Sequence, residues 1–157
     1  MEIIIREFKF ADHKALAEIT REAFVGVCLE YFVEKYMGER AGQSWQEHKL
    51  RTMRYELKSP FIDSLVAEAD GEPAGYLTYE VQHEQSTGWV RNLAVAGKWQ
   101  GKGIGKALLR AVLDRFRAEG LKFARIETMA NNERARAFYR REGFEEVVER
   151  VYLYKTL

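Results

Sequence analysis

The chain has 157 residues, of which 46% are hydrophobic and 31% charged, a balance that is typical of a globular domain and not of a disordered segment. Its 25 basic and 24 acidic residues leave a net charge of +1, which argues against nucleic acid and anionic lipid as the main partners. One cysteine and three dispersed histidines argue against a disulfide and a metal site, and no apolar run reaches the roughly 20 residues of a membrane span. We therefore predict a single cytoplasmic domain over residues 1–157, without a metal.

The first third of the chain is predicted to contain one strand and two helices. The β-branched residues 2–6 favour a strand, and Asp12 can cap the helix after it. The apolar face of this helix continues at three- and four-residue spacing through Cys28, which predicts one continuous helix and a cysteine in the core. Residues 38–42 interrupt the pattern, and Ser44 then caps a second helix that ends near residue 57.

The middle of the chain is predicted to form three antiparallel strands. Residues 64–69 and 74–81 are strand-like and flank the sequence Asp-Gly-Glu-Pro at 70–73, which is typical of a hairpin turn. A second turn at 85–88 leads into an apolar strand over residues 89–95.

The last third of the chain alternates helices and strands. The apolar spacing predicts a helix over 104–119 with Gly120 at its C-terminal cap, a strand over 123–129 and a helix over 131–141. The tail, residues 144–155, is predicted to form one or two further strands. A helix between the strands at 89–95 and 123–129 makes them parallel neighbours, so the fold is predicted to be α+β, a mixed α/β domain of three layers.

A glycine-rich loop, Gln-Gly-Lys-Gly-Ile-Gly at residues 100–105, joins the first of these parallel strands to its helix. The first turn of a helix leaves N–H groups unpaired, and glycines let a phosphate approach them closely. The dinucleotide fingerprint would need a further glycine at Lys106 or Leu108, and the nucleoside-triphosphate loop would need other residues at Gln100 and Ala107. The loop is therefore predicted to bind another phosphorylated cofactor, and an ordinary connection without a ligand is the alternative.

Two motifs in this order resemble the GNAT superfamily of N-acetyltransferases. The first is Asn-Leu-Ala-Val at residues 92–95, followed by Gln-x-x-Gly-x-Gly at 100–105. The second is Asn-x-x-Ala-x-x-Phe-Tyr-x-x-x-Gly-Phe at residues 132–144, which begins 27 residues after Gly105. The resemblance implies a GNAT-like acyl-CoA acyltransferase fold, in which the mostly antiparallel sheet splays at its central parallel pair, and the transfer of an acetyl group from acetyl-CoA to an amine.

The resemblance also implies which residues bind acetyl-CoA. In the family, the loop holds the pyrophosphate, the first parallel strand pairs with pantetheine, and the second motif contacts the coenzyme arm. The residues at these positions are Gln100, Gly101, Lys102, Gly103, Ile104, Gly105 and Lys106 for the pyrophosphate, Leu93, Ala94 and Val95 for pantetheine, and Asn132, Ala135 and Tyr139 for the arm.

Acetyl transfer requires a neutral amine, which costs about 4–5 kcal/mol at pH 7 for a lysine-like amine. Glu127 is the first candidate for the base that accepts the proton, directly or through water, and Glu80 is the second. The alternative for Glu127 and for Glu80 is an ordinary solvent-facing carboxylate on a strand without a catalytic role. The resemblance implies that a backbone N–H near Val95 stabilises the oxyanion and that Tyr139 is the general acid for the thiolate.

The acceptor is predicted to be a primary amine of a small molecule or peptide, attacked directly in a ternary complex. A protein N-terminal or lysine acetyltransferase and a non-catalytic acyl-CoA sensor are the alternatives. The resemblance places several aromatic residues near the acceptor site, where they make either cation–π contacts or ordinary packing contacts. These residues are Tyr31, Tyr36, Trp45, Tyr152 and Tyr154. Dimers are common in the family, so the resemblance admits a homodimer, which the sequence itself does not define.

Overall fold

A five-stranded sheet forms the middle layer, with its strands in chain order. The computed structural model describes all of residues 1–157. The strands are β1 Ile3–Glu7, β2 Asp63–Ala69, β3 Glu72–Gln82, β4 Thr87–Val95 and β5 Phe123–Ile126. Strands β1 to β4 are antiparallel and β5 is parallel to β4. The predicted mixed, mostly antiparallel sheet is confirmed, although β5 is shorter than the predicted strand at 123–129.

Helices cover both faces of this sheet. They are α1 His13–Ala23, α2 Leu29–Met37, α3 Trp45–Lys58, α4 Ile104–Ala118 and α5 Glu133–Arg141. The Tyr76 hydroxyl lies 2.8 Å from Thr20 Oγ1 of α1, whereas the Tyr79 ring packs edge-on against Phe116 of α4. Side chains alternate between the two faces of a strand, so Tyr76 and Tyr79, three residues apart, point to opposite faces. Helices α1 and α4 therefore lie on opposite sides of the sheet, which gives three layers. None of the helices has the length and apolar character needed to cross a bilayer.

The first predicted helix is in fact two helices, so that prediction is wrong. Helix α1 ends at Ala23, and Gly26 then has a φ of +72°, which a continuous right-handed helix cannot contain. Cys28 stands just before α2 with 5% of its surface exposed. The cysteine is therefore a core residue, as its place on the apolar face predicted.

Asp12 was also predicted to cap α1, and its side chain makes no such hydrogen bond. Its carboxylate instead accepts the Lys9 N–H at 2.8 Å and pairs with Arg6, also at 2.8 Å. The Arg6 guanidinium holds the pKa of Asp12 below its usual value. Asp12 therefore fixes the connection from β1 rather than the first turn of the helix.

Two other predicted helix ends are confirmed. Ser44 caps α3 in a reciprocal arrangement with Glu47, in which each side chain accepts the backbone N–H of the other residue. Gly120 follows α4 with a φ of +76°, and the N–H of Leu121 returns to the carbonyl of Phe116 at 3.0 Å. These contacts fix where α3 starts and where α4 ends.

The tail forms no strand, so the prediction of one or two strands over 144–155 is wrong. Residues 145–157 make no backbone hydrogen bond, and the side chains of Val147, Val151 and Leu153 are exposed. Ion pairs from Glu146 to Arg136 and Arg140 of α5 hold the start of this segment instead. Strand-like composition was thus not sufficient here, because no neighbouring strand supplies the hydrogen-bond partners.

Gly88 of β4 provides a test of how tightly α4 packs on the sheet. A Cβ at this position would overlap the buried ring of Phe116. We expect Gly88→Ala to lower the free energy of unfolding by about 1–3 kcal/mol, measured by denaturant titration. In the double variant Gly88→Ala/Phe116→Leu the smaller side chain should relieve the overlap, so additive losses would contradict this packing.

Candidate active site

Strands β4 and β5, the last two strands of the sheet, part halfway along β4. Their pairing runs from Thr87 opposite Phe123 to Val90 opposite Ile126 and then stops, while β4 continues to Val95 beside β3. The second half of β4 therefore has one paired edge and one open edge. This is the splay that the family resemblance implied.

A β-bulge marks the point where the strands part. Thr78 of β3 lies opposite Asn92 and Tyr79 lies opposite Val90, so Arg91 is an extra residue on β4. The side chains of Arg91 and Asn92 consequently reach the same carboxylate, that of Glu56 on α3. The bulge thus bends β4 and brings two consecutive polar side chains to one face of the sheet.

The open edge presents the backbone groups of Leu93 and Val95. The N–H of Ala96 bonds to the carbonyl of Ala74 at 2.9 Å, which fixes the phase of the β3–β4 ladder. Alternate residues of a strand face the same edge, so Ala94 also faces β3, whereas Leu93 and Val95 face away from it. Two residues of the predicted pantetheine strand therefore offer donors and acceptors to a ligand.

The loop after β4 adds a group of unpaired donors. The backbone N–H groups from residue 101 to residue 106, with the exception of Lys102, have no hydrogen-bond acceptor in the protein. They lie at the N-terminus of the fifteen-residue α4, where the helix dipole adds partial positive charge. Such a group of donors fits a diphosphate.

The glycines of the loop keep this region open. Gly101 and Gly103 have φ values of +75° and +88°, and a Cβ at either position would contact nothing. A Cβ at Gly105 would lie 3.6 Å from Leu93 and 3.8 Å from Phe138 of α5. Gly105 therefore lies at the mouth of the groove between the open edge of β4 and α5.

The charged and amide side chains around the loop differ in whether they have partners within the protein. Gln100 donates to the Val95 carbonyl at 3.2 Å and accepts from Arg134 of α5 at 2.5 Å, so it joins the two sides of the groove. The ammonium group of Lys106 lies 3.6 Å from Glu142, whereas that of Lys102 lies over the Trp99 ring. Lys102 therefore has no carboxylate partner within the protein.

Helix α5 brings the second motif to the groove. The Asn132 side chain accepts the Ala135 N–H at 3.2 Å, so it caps this helix. Tyr139 packs between Phe138 and Phe144, and its hydroxyl has no hydrogen-bond partner. Burial raises the pKa of Tyr139 well above the usual phenol value, so the hydroxyl keeps its proton at neutral pH.

Comparison with known proteins agrees with this geometry. Residues 15–144 match the acetyltransferase (GNAT) family. The chain belongs to this family. Among curated relatives, it is 28% identical to the L-amino acid N-acetyltransferase AaaT of Escherichia coli, over 92% of this chain and 83% of the relative. It is 32% identical to an aminoglycoside N(6′)-acetyltransferase of Stenotrophomonas maltophilia, over 56% of this chain and 62% of the relative.

Solved GNAT structures share the fold. The PaiA N-acetyltransferase of Thermoplasma acidophilum, solved with coenzyme A, has a TM-score of 0.69 at 23% identity and covers 92% of this chain and 91% of its own. The ribosomal-protein-S18-alanine N-acetyltransferase of Escherichia coli has a TM-score of 0.70 at 20% identity, over 94% of this chain and 80% of its own. The predicted GNAT-like fold is therefore confirmed.

The two candidate bases of this GNAT chain are both paired with arginines. Glu127 follows β5, is partly exposed, and lies 2.6 Å from Arg125 and 3.4 Å from Arg150. Glu80 of β3 lies 3.1 Å from Arg91 and also accepts from Gln82. Both carboxylates are therefore held by ion pairs, and they belong to separate clusters without a shared ionic partner.

Sequence analysis missed a buried polar network beneath the open edge. Glu56 of α3 is 2% exposed and accepts from Thr78 at 2.7 Å, from Asn92 at 2.6 Å and from Arg91 at 3.0 Å. Lys49, also of α3, donates to Asn92 at 2.9 Å. Asn92, which opens the first motif, is thus held from both sides.

A signal for this network was present in the sequence. Lys49 and Glu56 lie at helical spacing with the buried Trp45 and Met53, on the face of α3 that turns to the sheet. A charged residue on an apolar helix face must find a partner, because an unpaired buried charge is costly.

No group of three or more His, Cys, Asp or Glu side chains is arranged to hold a metal ion.

A substitution at Gly105 should weaken coenzyme binding without lowering the stability of the fold. Gly105→Ala places a methyl group in the groove, and overpacking of about 1–3 kcal/mol would weaken coenzyme A binding by roughly 5- to 150-fold. The same change should leave stability equal or higher by up to about 1 kcal/mol, since alanine favours helix over glycine.

Calorimetric titration with coenzyme A and thermal unfolding measure these two effects. Gly120→Ala is the matched control, because Gly120 has a φ of +76° that alanine tolerates poorly and lies just past the C-terminal end of α4, at the opposite end of this helix from the loop. The control should lose stability and keep its affinity. Unchanged affinity in Gly105→Ala would remove this groove from the coenzyme site.

Proposed function

We propose that this chain transfers an acetyl group from acetyl-CoA to a primary amine of a small molecule or peptide, by direct attack in a ternary complex. One observation carries the proposal: the unpaired N–H groups of residue 101 and residues 103–106 lie next to the open edge of β4, and Gly105 among them faces both Leu93 of that edge and Phe138, the neighbour of Tyr139 on α5. Relatives named as N-acetyltransferases of amino acids, aminoglycosides and a ribosomal protein support the same reaction.

The loop and the open edge would hold the two ends of the coenzyme. The N–H groups of Gly103 and Gly105 would donate to the pyrophosphate, and Lys102 would add positive charge near it. The open backbone groups of Leu93 and Val95, apart from the Val95 N–H, would pair with the amides of pantetheine as an added strand does. When bound, acetyl-CoA supplies an acetyl group activated as a thioester.

Three groups of the protein would then act on the reacting atoms. The Val95 N–H would donate to the carbonyl oxygen, and a fixed donor of this kind contributes about 3–4 kcal/mol in acyl transfer. Glu127 or Glu80 would accept the amine proton, directly or through a water that passes the proton on to the carboxylate. Arginines hold both carboxylates in place, Arg125 for Glu127 and Arg91 for Glu80.

Tyr139 would act on the leaving sulfur. A thiol has a pKa of about 8.5, below that of a buried phenol, so complete proton transfer from Tyr139 to the thiolate is uphill. The hydroxyl would therefore stabilise the thiolate chiefly as a hydrogen-bond donor. Its lack of a partner within the protein leaves it free for this contact.

The proposed activity is tested by measuring thiol release from acetyl-CoA with an acceptor panel of amino acids, polyamines, aminoglycosides and peptides with free N-termini. Turnover with at least one amine supports the proposal. Binding of acetyl-CoA without turnover across the whole panel would instead indicate an acyl-CoA sensor. A lack of binding would contradict both functions.

Tyr139→Phe removes one hydroxyl and keeps the ring. We expect kcat to fall by roughly 100-fold while the affinity for coenzyme A stays within about twofold, since the proposed contact forms only as the thiolate develops. Steady-state kinetics and calorimetry measure the two values. Tyr55→Phe, at an exposed tyrosine of α3, is the control, and equal kcat values in the two variants would exclude Tyr139 from the reaction.

A further inference from the structure

A cavity of about 240 Å³ lies between α2, α3 and the C-terminal segment. Its polar lining includes Arg40, His48 and Arg51, with Glu30 at the start of α2 and Tyr154 from the tail. None of these residues belongs to the predicted coenzyme site. The cavity therefore needs an explanation of its own.

The turn before α3 fixes the position of one arginine. Ala41 and Gly42 both have positive φ values, +53° and +67°, which is typical of a two-residue hairpin turn, and Arg40 pairs with Gln43 across it. Alanine adopts such a φ only when the surrounding structure imposes it. The Arg40 carbonyl lies 3.1 Å from His48 Nε2, which ties the turn to α3.

The second arginine is tied to the same turn. Arg51 donates to the Gln43 side-chain oxygen at 2.5 Å and has no carboxylate within ion-pair distance. The Arg40 side chain has no hydrogen-bond partner in the protein, although most other arginines of the chain pair with carboxylates. Two guanidinium groups without a carboxylate partner, one at the turn and one on α3, therefore line the same cavity.

The cavity adjoins the proposed acetyl-transfer groove through α3. Thr52 of the cavity lining lies one helical turn after Lys49, and side chains three residues apart on a helix are neighbours, with about 5–6 Å between their Cβ atoms. Lys49 reaches across to Asn92 at 2.9 Å, and Asn92 directly precedes the open edge at Leu93. A ligand in the cavity therefore lies on the α3 side of the open edge.

We propose that Arg40 and Arg51 bind the carboxylate of the acceptor, so that the acceptor is a small amine carrying a carboxylate, such as a free amino acid. This inference rests on the proposed acetyltransferase function. The planar guanidinium group matches a carboxylate with two parallel hydrogen bonds. The volume of the cavity suits one small polar group and not an extended polyanion.

Pairs of L-amino acids and their amides test this proposal with the intact protein. Amidation removes the negative charge and lowers the pKa of the neighbouring amine, so any preference for the acid cannot arise from a larger neutral fraction. After kcat/KM is corrected for the neutral fraction of each amine, we expect it to be about 10- to 100-fold higher for the acid, the range of a charge-assisted hydrogen bond. Equal corrected values for acid and amide would overturn the proposal.

Arg40→Gln and Arg51→Gln should each raise KM for the acid at least about tenfold and leave kcat/KM for the amide unchanged. Arg40→Lys keeps the positive charge but loses the two parallel donors of the guanidinium group, so it should show an intermediate KM. Arg54→Gln is the matched control, because Arg54 also lies on α3 without an ion pair but outside this cavity. An equal loss in the control would overturn the assignment.

Failure of the proposed function is recognised separately. If coenzyme A binds but no amine is acetylated, calorimetry of the amino acid and its amide on the coenzyme-loaded protein replaces kinetics. Tighter binding of the acid that is lost in Arg40→Gln and Arg51→Gln would uphold the carboxylate site, and equal binding would overturn it. Thermal unfolding of each variant verifies that it is folded.

Discussion

The single extra residue in β4 is the constraint on which the rest of the site depends. Up to Val90, β4 is paired on both sides, and from Arg91 onward it is paired only with β3. Exposed strand edges normally attract another strand, so an open edge beside a neighbouring strand needs something that maintains it. Here the bulge lies where the pairing of β4 with β5 ends, and the loop after β4 leads into α4, so the open edge is followed along the chain by the unpaired N–H groups at the helix N-terminus.

The buried carboxylate of Glu56 stabilises this distortion. An isolated charge at 2% exposure would be costly, but Glu56 receives hydrogen bonds from three side chains, and two of them come from the bulge residues Arg91 and Asn92. Removal of this carboxylate would leave the Arg91 charge with only Glu80 as an ionic partner. The network therefore ties α3, which also forms a wall of the Arg40 cavity, to the strand that is proposed to hold the thioester.

Much of this architecture could be predicted from sequence, for reasons visible in particular residues. The turns, the helix caps at Ser44 and Gly120 and the apolar spacing of α4 are local signals, and the two motifs fixed the family. The break between α1 and α2 was missed because the apolar spacing continues across Gly26, although the backbone does not. The tail was misassigned because strand propensity depends on a partner strand that sequence does not supply. The bulge, the Glu56 network and the cavity lined by Arg40 and Arg51 all arise from contacts between distant segments, which local sequence patterns do not describe.

The environment of Cys28 has a practical consequence for biochemical work on this chain. Burial raises the pKa of its thiol to about 12, and only the thiolate form reacts readily with disulfide or alkylating reagents. In the folded state, a colorimetric reagent that detects free coenzyme A will thus have almost no competing signal from the protein itself. Slow alkylation of the same cysteine would, conversely, report the opening of the segment between α1 and α2.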